Sequence, residues 1–362
     1  MNFIFKYLLT LVFVLTFFTG FGQLQLKPNN KNIRYMGRAA AKEDSATFYW
    51  PGTSATINFV GTNIKVTMQS LREKSFFYAI IDNDAMKAFK FESDSVKKTI
   101  SLAEHLPKGK HSLLLYQLSN NTSATTIHSF EIGGKARLRK PSKLPKRKIE
   151  FYGNSITAGH GVDVPEGQAD SGLPEFFNQY ATYAALTARH FNAQYSFVAR
   201  SGIGIMVSWF PEIMPEVYDR LDPFDPRSKW DFSTYTPDVV VVNLLQNDYW
   251  LTNNPAHEQF KKRFGTTKPT ADFIIRSYRD FISTIRTKYP KAHIICALGN
   301  MNATEAGSKW PGYIEQAVAG LNDEKIYSVF FPYKETSGHP NKKEQQAMAD
   351  QLIRFIDQKV QW

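Results

Sequence analysis

The sequence predicts two domains of different class, a β-sandwich of jelly-roll type followed by a three-layer α/β domain built on a parallel sheet. Three observations carry that expectation. Residues 33–132 fall into strand-length runs separated by turn residues, residues beyond 149 alternate strand-like with helix-like segments, and a basic stretch holding Pro141 and Pro145 lies between them. Length agrees, since 362 residues suffice for about two domains, each with its own core. A composition of 43% hydrophobic and 21% charged residues is ordinary for a folded chain and excludes global disorder.

Residues 1–22 stand apart. Lys6, the apolar run Tyr7 to Phe18 and the small residues Thr19, Gly20 and Gly22 have the layout of a secretory signal peptide, which implies a secreted or periplasmic protein. The run is short for a bilayer span, and no later stretch is long and apolar enough to form one, so no membrane span is expected in the mature chain. Cys296 is the sole cysteine, so no internal disulfide can form. Lying within the apolar run His293 to Leu298 with no charged neighbour, it reads as a packing thiol. The formal charge of +11 would suit an acidic partner. No helix-turn-helix, zinc-finger or ribonucleoprotein-type motif accompanies it, however, and a secreted protein has little access to nucleic acid, so none is expected as a partner.

The sandwich is expected over residues 23–140. Its β-rich runs are Ala55 to Phe59, Ile64 to Met68, Phe76 to Ile81, Lys97 to Leu102, Ser112 to Tyr116 and Thr126 to Ile132. Turn residues separate them at Pro51-Gly52, Val60 to Asn63, Asp82 to Asp84, Pro107 to Gly109 and Ser119 to Asn121. Residues 141–148 read as a basic linker.

The second domain is expected over 149–362. Strands are predicted at Lys148 to Tyr152, Gln194 to Ala199, Asp238 to Leu244, His293 to Leu298 and Ile326 to Phe331, and Val239 to Val242 is apolar on both faces, as a central parallel strand must be. Helices are predicted at Tyr180 to Phe191, Ala271 to Tyr289, Pro311 to Leu321 and Lys342 to Lys359. In the second, Phe273, Phe281 and Ile285 are expected on the buried face; in the last, Asn341 and Glu344 have capping-box spacing ahead of Met348, Leu352, Phe355 and Ile356.

Ligands of an open α/β sheet bind beyond the carboxyl ends of its strands. Those ends carry Gly153-Asn-Ser155, then Arg200-Ser-Gly202-Ile-Gly204, then Leu245-Gln-Asn247-Asp248, and after the last strand Ser337-Gly-His339. A serine on such a turn is a nucleophile only if a base removes its proton and donors hold the oxyanion that forms. Read singly, each segment has an ordinary alternative: a glycine turn, a turn-capping asparagine, a surface histidine.

Taken in order, they resemble the four blocks of the SGNH/GDSL hydrolases. With Tyr35-Met-Gly37-Arg38, Val60-Gly-Thr62 and Gly159-His-Gly-Val162-Asp163 added, the mature chain resembles carbohydrate esterase family 2. That resemblance implies a serine esterase removing O-acetyl groups from plant-type polysaccharides such as xylan or glucomannan, with no cofactor. Ser155 would be the nucleophile and His339 the base, with an oxyanion hole from the backbone N–H groups of Ser155 and Gly202 and the Asn247 side chain. Tyr249, Trp250, Trp209 and Trp310 flank these blocks and are candidate sugar-stacking faces. His160 has no metal-ligand spacing with another histidine, so it reads as a loop residue and no metal is assigned.

Three positions depart from the family pattern. Asn154 replaces the usual aspartate, Leu245 stands where a glycine is usual, and Thr336 occupies the position that carries the aspartate of many SGNH triads. The resemblance therefore implies a Ser155–His339 dyad, with His339 oriented by a backbone carbonyl or by Glu335. Two alternatives remain at this stage: a carbohydrate-binding protein with a dead site, and a lipase or thioesterase using the same residues.

Overall fold

The computed structural model describes residues 23–118 and 124–362. The expected signal segment and the Ser119 to Asn121 turn lie outside them.

Among the described residues the first domain has twelve strands: β1 (Leu24–Leu26), β2 (Ile33–Met36), β3 (Ala39–Ala41), β4 (Ala46–Phe48), β5 (Ser54–Val60), β6 (Asn63–Ser70), β7 (Ser75–Ile81), β8 (Phe89–Ser93), β9 (Lys98–Ala103), β10 (Lys110–Gln117), β11 (Thr125–Gly133) and β12 (Arg137–Leu138). They make two antiparallel six-stranded sheets. One runs β3-β4-β11-β6-β9 with β1 on β11, the other β12-β5-β10-β7-β8 with β2 on β5. Alternation explains the packing: in β6, Ile64, Val66 and Met68 point inward while Lys65, Thr67 and Gln69 stay half-exposed. The inward rows of both sheets meet in one core containing Phe48, Ile57, Phe59, Phe77, Leu113 and Phe130. Each such side chain contributes about 1.5–3 kcal/mol by leaving water. All six expected runs are strands; β1, β2, β3, β4 and β12, of two to four residues, are too short to leave a periodic signal.

The second domain is a five-stranded parallel sheet in the order β14-β13-β15-β16-β17. Its strands are β13 (Lys148–Gly153), β14 (Gln194–Ala199), β15 (Val239–Asn243), β16 (His293–Leu298) and β17 (Ile326–Phe330). Helices α1 (Ser155–Ala158), α2 (Tyr183–His190), α3 (Met214–Val217), α4 (Gln246–Thr252), α5 (Glu258–Phe264), α6 (Ala271–Lys288), α7 (Trp310–Ala319) and α8 (Lys342–Lys359) connect and flank them. α2 and α8 cover one face, where Ala184, Ala188, Met348 and Leu352 meet Phe151, Val241 and Ile295. α6 and α7 cover the other, bringing Tyr278, Ile282 and Ile314 onto Tyr152, Val240 and Cys296. Every residue of β15 is buried, as a strand covered on both sides requires.

The capping box of α8 forms as expected: the Asn341 side chain accepts from the Glu344 N–H at 3.0 Å, and Glu344 accepts from the Asn341 N–H at 2.9 Å. One expectation about α6 is corrected. Phe273 is 39% exposed, and the buried stripe is Ile274, Tyr278, Phe281, Ile282 and Ile285. Residue 273 precedes the stripe by one position, and one position turns a helix by about 100°.

A buried polar cluster joins the domains. Arg38, just beyond β2, is fully buried and donates to the carbonyls of Tyr218 and Arg220 at 2.6 and 2.9 Å and to Glu150 of β13 at 3.3 Å. Glu150 also accepts from Tyr152 at 2.7 Å, Tyr289 at 2.6 Å and Ser196 at 2.8 Å. A carboxylate without water is tolerable only when its lone pairs are satisfied in this way.

Candidate active site

The register of the parallel sheet aligns the site. Gly153 pairs with both Ala199 and Asn243, so β13, β14 and β15 end at one level. Ser155, Gly202 and Asn247 follow those ends by a few residues, at the point where the strand order reverses, which is where an open α/β sheet leaves a crevice.

Ser155 is the first residue of α1 and only 3% exposed. Asn154 caps that helix, its side-chain oxygen accepting from the Ile156 N–H at 3.0 Å. Asparagine in the place of aspartate thus keeps the cap. The Ser155 carbonyl accepts from the N–H groups of Gly159 and His160 at 3.0 and 3.1 Å, which folds the next loop back toward Ser155. Gln345 of α8 braces the turn from below, donating to the Ile156 carbonyl at 3.1 Å while accepting from the Tyr183 N–H at 2.8 Å.

Asn247 lies near the start of α4. Its carbonyl oxygen accepts from the indole N–H of Trp209 at 3.0 Å, and its amide donates to the Ile203 carbonyl at 2.8 Å. This pairing fixes which end of the amide is nitrogen and leaves the amide's second hydrogen for another acceptor. Asp248 is fully buried and accepts from the N–H groups of Ile205, Met206 and Val207 at 2.7–3.1 Å, which pins the turn that begins at Gly202. Burial pushes its carboxyl up to about 6, against those bonds. Leu245, where the family has glycine, adopts φ +80°, ψ −10°: the backbone keeps the left-handed shape and a buried leucine bears the strain.

His339 is oriented by a residue the sequence did not single out. Its Nδ1 lies 2.5 Å from Oδ2 of Asp170, and the same oxygen accepts from the His339 backbone N–H at 3.1 Å. Asp170 stands in the loop between α1 and α2. The expectation of a dyad oriented by a backbone carbonyl or by Glu335 is corrected, because Nδ1 is already taken; Glu335 is exposed, at φ +60°. Gly161 makes the approach possible. At φ +70°, a Cβ there would lie 3.0 Å from Asp170 Oδ2 and 3.1 Å from the His339 Cβ.

His160 also belongs to this group. Its ring stacks on His339 with centroids 3.9 Å apart and planes 15° apart, and its Nε2 is 3.4 Å from Asp170 Oδ1. Hydrogen bonds from the two imidazoles hold the Asp170 carboxyl well below the usual carboxylate range. His339 is moved down from the ordinary histidine value, chiefly by burial, with the charges of His160 and Lys334 acting the same way and Asp170 opposing. His160, Asp170 and His339 bring ligand atoms within 4.8 Å of one another. Imidazole lone pairs lie in the ring plane, however, and two nearly parallel stacked rings do not converge on one ion at about 2.0–2.1 Å. The arrangement suits proton transfer better than metal binding.

A groove of about 390 Å³ opens at His339 and Asp170, lined also by Trp250, Asn302, Tyr333 and Lys334. Trp250 is half-buried, its indole N–H donating to Asn302 at 3.3 Å, and Tyr249 is likewise half-buried. Trp209 is 46% exposed directly beside Asn247. Trp310 is 7% exposed and packs edge-on to Tyr249 and Tyr313, so as a stacking face it is corrected to a core residue.

Residues 35–141 match the carbohydrate esterase 2 N-terminal family, and residues 151–326 the GDSL-like lipase/acylhydrolase family. The chain is 32% identical over 347 residues to the cellulase/esterase CelE of Acetivibrio thermocellus, covering 92% of this chain and 40% of that protein. It is 26% identical over 344 residues to an acetylxylan esterase / glucomannan deacetylase of Cellvibrio japonicus, covering 92% of this chain and 90% of that one. Among solved structures, a family two carbohydrate esterase from Clostridium thermocellum in complex with cellohexaose superposes with a TM-score of 0.79 at 30% identity, covering 90% of this chain and 98% of that one. Both domains, in this order, match those relatives: the chain belongs to carbohydrate esterase family 2.

Proposed function

We propose that the protein is a secreted or periplasmic serine esterase that removes O-acetyl groups from plant-type polysaccharides, xylan or glucomannan, through Ser155, His339 and Asp170. The observation that carries this reading is the 2.5 Å bond between Asp170 and Nδ1 of His339, at the sheet end where Ser155, Gly202 and Asn247 also lie. With Nδ1 donating to Asp170, Nε2 is the nitrogen left to accept a proton.

The Ser155 hydroxyl attacks the acetyl carbonyl, forming a C–O bond as its proton passes to Nε2 of His339. The oxyanion takes hydrogen bonds from the Ser155 and Gly202 N–H groups and from the remaining amide hydrogen of Asn247. Each such donor is worth about 10²–10³-fold in kcat. Collapse breaks the bond to the sugar oxygen, which leaves with the proton from Nε2. Water then attacks the acetyl-enzyme, giving its proton to Nε2. Release of acetate returns that proton to Ser155. Asp170 stays ionised and stabilises the imidazolium. Trp209 and Trp250 are the aromatic faces available to a sugar chain.

The test is acetate release from acetylated xylan, acetylated glucomannan and a short-chain aryl acetate by wild type and Ser155→Ala. Release by wild type that disappears in the variant is expected. Equal release by both removes Ser155 from the mechanism, and a folded wild type that turns over none of the three points to a protein that only binds carbohydrate.

A further inference from the structure

The side chain of His160 has no part in the proton transfers above, yet it touches three members of the site. Its ring lies flat on His339, 3.9 Å between centroids. Its Nε2 is 3.4 Å from the Asp170 oxygen that His339 does not use, and its Nδ1 is 3.4 Å from the hydroxyl of Ser201, the neighbour of Gly202. Its backbone N–H donates to the carbonyl of Ser155 at 3.1 Å. Behind it, Phe177 closes the ring in at 4.5 Å. A surface loop histidine would have no reason for all of these at once.

We propose that His160 is a positioning residue of the same reaction, a second imidazole that holds Asp170 and seats the His339 ring while linking both to the Ser201–Gly202 turn. This rests on the esterase reading. With a proton on Nε2, His160 donates to Asp170 Oδ1 and accepts from the Ser201 hydroxyl on Nδ1. Both bonds are long, so the flat ring contact does most of the seating and the bonds choose the tautomer. Asp170 is thereby shared: Oδ2 serves His339, while Oδ1 serves His160 and the Gly172 N–H at 3.2 Å.

The arrangement also sets the basicity of His339. The groups facing it are the carboxylate of Asp170, the imidazole of His160 and the ammonium of Lys334. The N–H that His160 directs at Asp170 draws on the same carboxylate that would stabilise a protonated His339, and the ammonium of Lys334 opposes that protonation directly. Removing His160 should move the protonation midpoint of His339 upward and loosen its ring.

Two variants separate these effects. His160→Phe keeps a flat ring against His339 and gives up the hydrogen bonds; His160→Ala gives up everything. In steady-state kinetics on the aryl acetate, His160→Ala should lose about tenfold or more in kcat at unchanged KM, because small displacements of a reacting group cost about that or more. His160→Phe should recover part of the kcat. In both, the acid limb of kcat/KM should shift to higher pH. Wild-type kcat and an unmoved acid limb in both variants would overturn the proposal. The same coupling is read without turnover by titrating the His339 ring by NMR in Ser155→Ala, with and without His160→Phe. A rise in the His339 midpoint supports the proposal, and an unchanged midpoint overturns it, whether or not the esterase reading stands.

Discussion

Oδ2 of Asp170 lies 2.5 Å from Nδ1 of His339, between segments 169 positions apart in the chain. The carboxylate that meets His339 therefore comes from the loop after Ser155, whereas many SGNH enzymes place an aspartate just ahead of the histidine. Asp170→Asn should lower kcat by about 10²–10⁴-fold with little change in KM, since the amide presents a donor where His339 needs an acceptor. Glu335→Gln, at an exposed position, should leave kcat within about twofold. Steady-state kinetics of the two variants side by side checks both, and a large loss in Glu335→Gln alone would reverse the assignment.

The pH profile follows from burial. His339 must be neutral to accept the proton of Ser155, and its protonation midpoint lies below the ordinary value of about 6.5. Activity should rise as pH climbs through that lowered midpoint and already exceed half its plateau at about pH 6.5. A kcat/KM profile still climbing steeply above pH 7 would contradict it.

At Leu245, two effects oppose each other. Glycine would relieve the left-handed backbone, worth about 1–3 kcal/mol, but would delete a fully buried leucine, worth about 2–5 kcal/mol with its cavity. Loss of the buried side chain outweighs relief of the backbone, so Leu245→Gly should be less stable by about 1–2 kcal/mol despite restoring the family's residue. Urea unfolding midpoints measure the sign.

The aromatic rim predicts a split by substrate. Trp209→Ala and Trp250→Ala should raise KM for acetylated glucomannan or xylan by about tenfold, the worth of one aromatic–sugar face. Aryl acetate turnover at Trp250→Ala should change far less. Trp209 also holds Asn247 at 3.0 Å, so its loss should lower kcat on every substrate.

What the sequence reveals and what it hides have separate physical causes. β16 is legible to the residue because a parallel strand covered on both faces is a short apolar run, here Ile294 to Leu298. The backbone at Leu245 is not, because a left-handed leucine leaves no mark in composition. Asp170 escapes notice, and His160 reads only as a loop residue, for a different reason. Their roles arise only when the loop between α1 and α2 closes on the turn ahead of α8, and no periodicity encodes that closure. The one trace is glycine: Gly159, Gly161 and Gly172 flank them, and Gly161 proves to be the residue whose missing side chain lets Asp170 and His339 meet. Trp310 misleads because closeness in sequence to a site says nothing about which way a ring faces.

Asp163 belongs to neither domain alone. Lys90 of β8 reaches it at 2.7 Å and also binds the Glu175 carbonyl; Asn178 donates to it at 2.9 Å and to Tyr78 of β7 at 3.1 Å; Lys342, three residues beyond His339, reaches it at 2.8 Å. The loop carrying Asp170 is thus fastened at both ends to the sandwich, and the helix that follows His339 is fastened to the same carboxylate. Cutting the chain within the basic linker would separate two stretches of sequence without yielding two working parts. A hydrolase fragment made alone would lack Arg38 for Glu150 and Lys90 for Asp163, so whoever trims this protein to a minimal catalyst should expect to find the sandwich inside it.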